Sequence, residues 1–364
     1  MRAIIIGAGI AGLAAALRLS QIGWDSLIIE RAPTRRSGGY AVTFGGLGYD
    51  AAERMGILPD LLQRAFVTEE IVYHKPNGQR RFSLGREIIA ATMGPRTMNI
   101  LRGDIETVLY DTVRDSAEIR FATTITAVDQ DTRAVHATLS DGTVEHADLL
   151  IGADGLHSAT RALVFGPEED YLLDLGHRVA VYMLDRRPAS IAPGTAGTLS
   201  AGGRTVAVIS AGDDRNVAFF GYRTERGARH DDRGDDRGDD PATVLPQVYG
   251  DLGWVIPEVL ASMARTDSVY FDTISQVVAP PGAATAWSCS ATPPGASPCS
   301  PATAPPWPSA APTGSAPNWN ATPATSAPPW PPGRRHYGPR WRRSRNSAAG
   351  SKASTPPPTR CCCG

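Results

Sequence analysis

Three glycines and one carboxylate near the start of the chain have the types and spacing that hold a phosphate-bearing ligand. Gly7, Gly9 and Gly12 form a G-x-G-x-x-G pattern, and Glu30 stands at the end of the next apolar run. Gly7 permits a tight turn, Gly9 has no Cβ to keep the backbone from a pyrophosphate, and Gly12 lets a helix pack close to a strand. The phosphates then fall at a helix N-terminus, where free N–H groups and the helix dipole favour negative charge. Glu30 supplies acceptors for the two ribose hydroxyls of an adenosine.

The elements that must position these residues are legible around them. Residues 3–6 read as a short buried strand, the alanine-rich run after Gly9 as a helix, and residues 26–29 as a second strand ending in Glu30. A packed alanine-glycine helix would explain the glycines alone. Strand, helix, second strand and acid in register make a dinucleotide-binding βαβ unit. A signal peptide is a rival reading of the same stretch, since one Arg precedes an apolar run. The run is broken by the glycines and carries Arg18, so neither export nor a membrane span is expected, and a cytoplasmic location is.

A net charge of −1 over 364 residues gives no overall pull toward nucleic acid or membrane. The averages hide a break near residue 280. All five cysteines and 20 of the 30 prolines lie at or beyond it, and Asp and Glu are absent after it. Residues 1–279 have globular composition; residues 280–364 do not.

Along the chain, Arg35 and Arg36 open a basic, glycine-rich loop that includes Gly39 and is placed to lie along a cofactor, or else is simply solvated. Residues 48–64 have helical spacing with a Gly-Ile-Leu-Pro stop, and residues 67–98 suggest strands around a turn at Lys75. Arg102 precedes an amphipathic helix of Ile105, Val108 and Leu109. Residues 117–147 alternate apolar and polar positions and read as an antiparallel meander. A buried strand then leads to the sharp turn at Asp154 and Gly155, followed by a new helix with Ser158 and Arg161.

In this order and spacing, Gly7, Gly9, Gly12, Glu30 and Arg31, then Arg102, then Asp154, Gly155, Ser158 and Arg161 resemble the single-component flavin-dependent monooxygenases. That family has the p-hydroxybenzoate hydroxylase fold and includes ubiquinone-biosynthesis hydroxylases, polyketide hydroxylases and tetracycline-inactivating enzymes. The resemblance covers residues 1–279. It implies an α/β fold: a Rossmann-like FAD-binding domain over residues 1–170, with strands around 67–98 contributing to an inserted β-sheet substrate domain over 171–279. It implies that Glu30 holds the adenosine ribose of FAD, that Arg102 contacts its phosphate region, and that Asp154 and Gly155 serve both FAD and NAD(P)H. Arg31, Arg36 and Gly39 fit the loop after the second strand. The implied reaction uses NAD(P)H and O₂ to hydroxylate an aromatic or polyketide-like small molecule. No second glycine fingerprint for a nicotinamide nucleotide is present, which favours this family over two-Rossmann reductases.

The rest of the first 279 residues adds no metal or catalytic base. The alternating acids and arginines of residues 230–240 read as a solvated loop rather than a metal site. His74 and His177 read as strand or surface histidines. Gly253, Trp254 and Pro257 match a fragment of the flavin-halogenase tryptophan signature, but the chain's two lysines, Lys75 and Lys352, are not placed to be the halogenase lysine.

After a strand at residues 269–278 the family has a G-D-A-A segment whose Asp binds the ribityl chain; here it is missing, at the composition break. Reading from the third base of each codon across residues 286–290 gives an apolar strand, and residues 290–294 then permit G-D-A-A. A Pro-rich linker explains the composition but not the concealed motif, so residues 280–364 are read as a frameshifted, disordered tail. The basic run from Arg334 to Arg343 and the cysteines Cys361, Cys362 and Cys363 are then products of the wrong frame rather than nucleic-acid or metal sites. Two other readings remain: another FAD oxidoreductase of the same fold, a halogenase or reductase, and a non-catalytic remnant.

Overall fold

Residues 2–6 are apolar almost without interruption because their strand is covered on both faces. In the computed structural model of the chain this is β1 (Arg2–Ile6), with Ile5 facing one cluster of buried side chains and Ile4 and Ile6 the other. The structure describes residues 1–35, 40–131, 133–212, 214–224, 240–266 and 268–278 and the backbone of 288–290, all within a compact unit of Met1–Thr303. Arg36, Gly39, residues 230–239 and the tail beyond residue 278, apart from residues 288–290, lie outside the described residues.

The glycine turn after β1 leads into α1 (Ile10–Gln21) and β2 (Asp25–Ile29). β3 (Ala41–Gly45) follows, then α2 (Leu47–Met55) and α3 (Leu58–Arg64). The helical segment expected over residues 48–64 is thus two helices. Gly56 takes a left-handed conformation, φ +79°, that ends the first, and Pro59 sits in the first turn of the second. β4 (Glu70–His74) and β5 (Arg80–Gly85) form a hairpin, but α4 (Arg86–Met93) then departs from the strands expected across residues 67–98. Its Glu, Ile and Ala positions contain no turn former until Gly94, and residues of this kind sustain a helix.

β6 (Thr97–Leu101) pairs antiparallel with β3 and runs directly into α5 (Arg102–Val113). β7 (Glu118–Arg120) joins β2 in parallel, so the meander expected over residues 117–147 contains only β8 (Ile125–Gln130), β9 (Val135–Leu139) and β10 (Val144–Ala147). β11 (Leu149–Gly152) then lies parallel to β1 on its other side, before α6 (Ala159–Phe165). The α1 and α5 helices cover one face of the parallel sheet through Leu13, Leu17, Val108 and Leu109, and the small antiparallel sheet covers the other through Val135, Ala137 and Leu139.

A second sheet is built from β12 (Leu172–Leu184), β13 (Thr195–Ala201), β14 (Arg204–Ser210) and β15 (Asn216–Arg223), then α7 (Pro241–Tyr249), α8 (Ile256–Ser262) and β16 (Tyr270–Val277). With β4 and β5 its order is β16-β12-β15-β14-β13-β4-β5. The helical stretch from residue 241 to 262 is interrupted at Gly250, and both of its halves cover one face of this sheet, where Phe220, Tyr249 and Ile256 are fully buried. The opposite face carries Val181 and Val217, which pack with Phe66 and Leu101. A last short strand, β17 (Ser288–Ser290), pairs antiparallel with β11 at the edge of the otherwise parallel sheet, inside the segment expected to be a disordered tail. The architecture is the α/β class expected from the sequence. Among the described residues no helix is long and apolar enough to cross a membrane.

Candidate functional site

The turn between β1 and α1 shows why its glycines are required. Gly7 has φ +107°, and a Cβ there would meet the Ala153 carbonyl oxygen at 2.5 Å. A Cβ on Gly12 would fall 1.9 Å from the Gly7 carbonyl oxygen, so only glycine lets α1 lie this close to the strand end. Gly9 differs: a Cβ there meets no atom within 4 Å, because it points into open space. Gly9 is the N-cap of α1 and no side chain caps it. The first-turn amides, which have no acceptor inside the helix, are therefore left to whatever occupies that space.

That space belongs to a cavity of about 860 Å³. Gly7, Gly9, Glu30, Arg31, Asp154 and Gly155 line it near the parallel sheet, and Tyr40, Arg102, Val181, Met183 and Tyr270 continue it toward the larger sheet. Of the residues singled out in the sequence, Gly12 lies behind the cavity wall rather than on it, and Arg36 and Gly39 are outside the described residues.

Glu30 sits one residue past β2, and its carboxylate is held in place by the backbone. Oε2 accepts from the Ala8 N–H at 2.8 Å and Oε1 from the Ala32 N–H at 2.8 Å. Each oxygen keeps a further acceptor position, so the carboxylate is fixed in orientation without being saturated. The Asp154 carboxylate is engaged differently. Oδ1 accepts from Ser158 Oγ at 2.5 Å, and Oδ2 accepts from the N–H and hydroxyl of Thr160 at 2.9 and 3.0 Å. Ser158 in turn caps α6 by accepting from the Arg161 N–H at 2.9 Å. In this structure the acid of the sharp turn therefore organises the start of α6, and Gly155, φ +87°, carries the turn itself.

Arg102 opens α5, where its amide donates to the Tyr40 carbonyl at 2.9 Å. Its guanidinium pairs with Glu106 at 3.0 Å, one turn on. Arg35, from the basic loop, also lines the cavity: it donates to Thr107 Oγ1 at 2.9 Å and lies 4.2 Å from the Tyr110 ring centre. Its buried Nε has no partner among the described residues. Two arginines, Arg35 and Arg102, therefore line the cavity that the free amides of α1 also border.

Among the cavity residues that no sequence motif marks are Tyr40, His157 and Tyr270. The tyrosines' rings lie 5.8 Å apart. Tyr270 donates to Asp272 Oδ2 at 3.0 Å, and His157 faces Asp272 Oδ1 at 3.5 Å through Nε2 and Glu168 at 2.9 Å through Nδ1. Burial, and then the Asp272 charge, pushes the Tyr270 phenol well above its usual range. For His157 burial pulls downward, but the hydrogen bond to Glu168 and the Glu168 and Asp272 charges outweigh it and raise the imidazole. No local sequence pattern marks these residues, because they come from separate segments that meet only in the folded chain.

The family described as FAD binding domain matches residues 1–237. A flavin-dependent monooxygenase from an unknown prokaryotic organism is 27% identical over 288 residues, covering 76% of this chain and 70% of that protein. An uncharacterized protein of Mycobacterium tuberculosis is 30% identical over 279 residues, covering 76% of this chain and 73% of its own length. Among solved structures, tetracycline destructase Tet(51) superposes with a TM-score of 0.64 at 27% identity, covering 76% of this chain and 70% of that one.

Proposed function

The chain belongs to the FAD-dependent monooxygenase family, and from that premise we propose that it uses NAD(P)H and O₂ to hydroxylate an aromatic or polyketide-like small molecule. The observation that carries this reading is the single cavity that joins the glycine turn and Glu30 to the apolar and hydroxyl-bearing wall of the larger sheet. Its residues fit FAD: the open space over Gly9, the uncapped amides of α1, the fixed Glu30 carboxylate and the Arg35 side chain border one volume. When bound, the flavin supplies the redox chemistry that activates oxygen.

The chain's own residues bind and orient. The α1 amides with Arg35 and Arg102 neutralise the diphosphate, and Glu30 accepts from the ribose hydroxyls. Arg31 borders the cavity beside Glu30, and Asp154 and Gly155 hold the turn that borders cofactor and nicotinamide alike. Val181 and Met183 give a substrate ring an apolar wall that excludes water. Tetracycline destructase, as a neighbour in structure, supports a polyketide-like substrate. NAD(P)H visits without a glycine fingerprint of its own, and such a reaction suits a cytoplasmic location.

A second reading is favoured by the chain after residue 279. The G-D-A-A segment is missing, and the matches to the two relatives above cover 76% of this chain rather than all of it. We propose that this part is translated in a shifted frame and that the chain as written holds FAD poorly, which makes it a non-catalytic remnant of an intact hydroxylase. The test is to purify the full chain, quantify released flavin by absorbance, and follow oxygen uptake with NADH or NADPH and a panel of phenols. A yellow protein whose oxygen uptake depends on a phenol establishes the hydroxylase and rejects the remnant. A protein without flavin that takes none up from solution establishes the remnant.

A further inference from the structure

Resting on the reading of this cavity as a substrate site, we propose that Tyr270 selects substrates that carry a free hydroxyl, by accepting a hydrogen bond from it. The tyrosine can only accept because its own proton is directed elsewhere. A phenol has one proton and two lone pairs, and an ionised carboxylate offers no proton. At 3.0 Å from Asp272 Oδ2, Tyr270 must donate to it. The other Asp272 oxygen is engaged as well: Oδ1 accepts from the Thr273 N–H at 2.7 Å and faces His157 Nε2 at 3.5 Å. His157 has its other nitrogen on Glu168, so both ring nitrogens face carboxylates and the charged imidazole is favoured.

The consequence reaches the cavity. Tyr270 presents lone pairs there, beside Tyr40 and Arg102. A ligand hydroxyl donates to those lone pairs. An ether or ketone oxygen at the same place sets lone pair against lone pair. A carboxylate likewise brings no proton to those lone pairs. Tyr270 is thus a specificity-determining residue, and Asp272 and His157 are positioning residues that act through it.

The test uses the full chain with two probes, 2-naphthol and 2-methoxynaphthalene, in which a methyl group replaces the hydroxyl proton, titrated by calorimetry, with flavin content measured separately; Tyr270→Phe controls for the added methyl. The expected result is that the wild-type chain prefers the naphthol by about 5- to 10-fold. Tyr270→Phe brings the ratio to about one. Asp272→Asn inverts it, because the His157 N–H takes the new amide's oxygen and turns its NH₂ toward Tyr270, which frees the tyrosine's proton for the ether. The inversion is a signature that general damage to the fold does not produce. Equal affinity of the wild type for both probes, no binding of either, or an unchanged ratio in both variants overturns the proposal. Tyr270→Phe lowering flavin content while leaving the ratio intact also overturns it and assigns the tyrosine to the cofactor. A flavin-free chain that keeps the preference for naphthol rejects the active hydroxylase in favour of the remnant and supports the role of Tyr270; a flavin-bearing chain without the preference does the reverse.

Discussion

An added methyl at Gly12 would fall 1.9 Å from a backbone oxygen, whereas one at Gly9 meets nothing within 4 Å. The two glycines therefore separate the demands of folding from those of binding. Gly12→Ala must push α1 off the strand end, at a cost of about 1–3 kcal/mol, and both thermal stability and FAD retention should fall. Gly9→Ala should leave the melting of the flavin-free protein within about 1 kcal/mol of wild type while weakening FAD at least about 10-fold, since the methyl enters the phosphate position. Melting curves with equilibrium dialysis of FAD distinguish them. A Gly9→Ala protein that holds FAD as tightly as wild type would place the phosphates elsewhere.

His157 makes a prediction of opposite character, in pH. Its folded value lies above its ordinary 6.5, so its partners Glu168 and Asp272 stabilise the fold fully below about pH 6.5. That contribution is lost as pH rises through the raised folded value. Arg161, also on Glu168, keeps its charge throughout, so the change belongs to the histidine. The difference in melting temperature between wild type and His157→Gln should therefore be largest near pH 6 and shrink toward pH 8.5. A difference that stays constant across that range would remove the ion pairs from the account.

At the scale of elements, packing decides how much of the fold a sequence reveals. β1, β2 and β11 are buried on both faces, so they read as unbroken apolar runs, and α1 was legible from its alanines and glycines. β7 was misassigned to the meander because three residues carry too short a pattern to show which sheet they join. α4 was missed because neighbouring strands dominated that region's reading. That the glycine turn, Glu30 and Arg102 border one cavity follows from their places at strand ends, which a local pattern marks. No such pattern marks Tyr40, His157 and Tyr270, since their meeting depends on how β3, the turn before α6 and β16 come together. The larger sheet shows the same rule energetically. Phe220 is fully buried, stacked on Tyr182 at 6.1 Å and edge-on to Tyr249 at 5.0 Å, beneath α7 and α8. Phe220→Ala should cost about 3–5 kcal/mol in urea unfolding. Phe82, 45% exposed on β5, should cost under about 1 kcal/mol when truncated in the same way. Equal costs would mean that this sheet packs differently.

At the scale of the whole molecule, the parallel sheet and the composition meet at one edge. β11 is formed, and among the described residues its outer neighbour is Ser288–Ser290, antiparallel among parallel strands. The shifted frame across residues 286–290 reads as apolar, which is what a strand against buried Leu150 requires, and the frame then permits the G-D-A-A segment that the written chain lacks. Restoring that frame between residues 277 and 287 should therefore return both a sheet edge and a set of cofactor contacts. A ligand that binds only the folded state stabilises it by about 2.7 kcal/mol at a hundredfold excess over its dissociation constant. The restored chain should copurify with FAD and gain a stabilisation of that order on its addition, while the chain as written gains much less at the same concentration. If the written chain carries one FAD per polypeptide and melts no lower than the restored one, its own residues suffice for the cofactor, and the missing segment contributes nothing to binding.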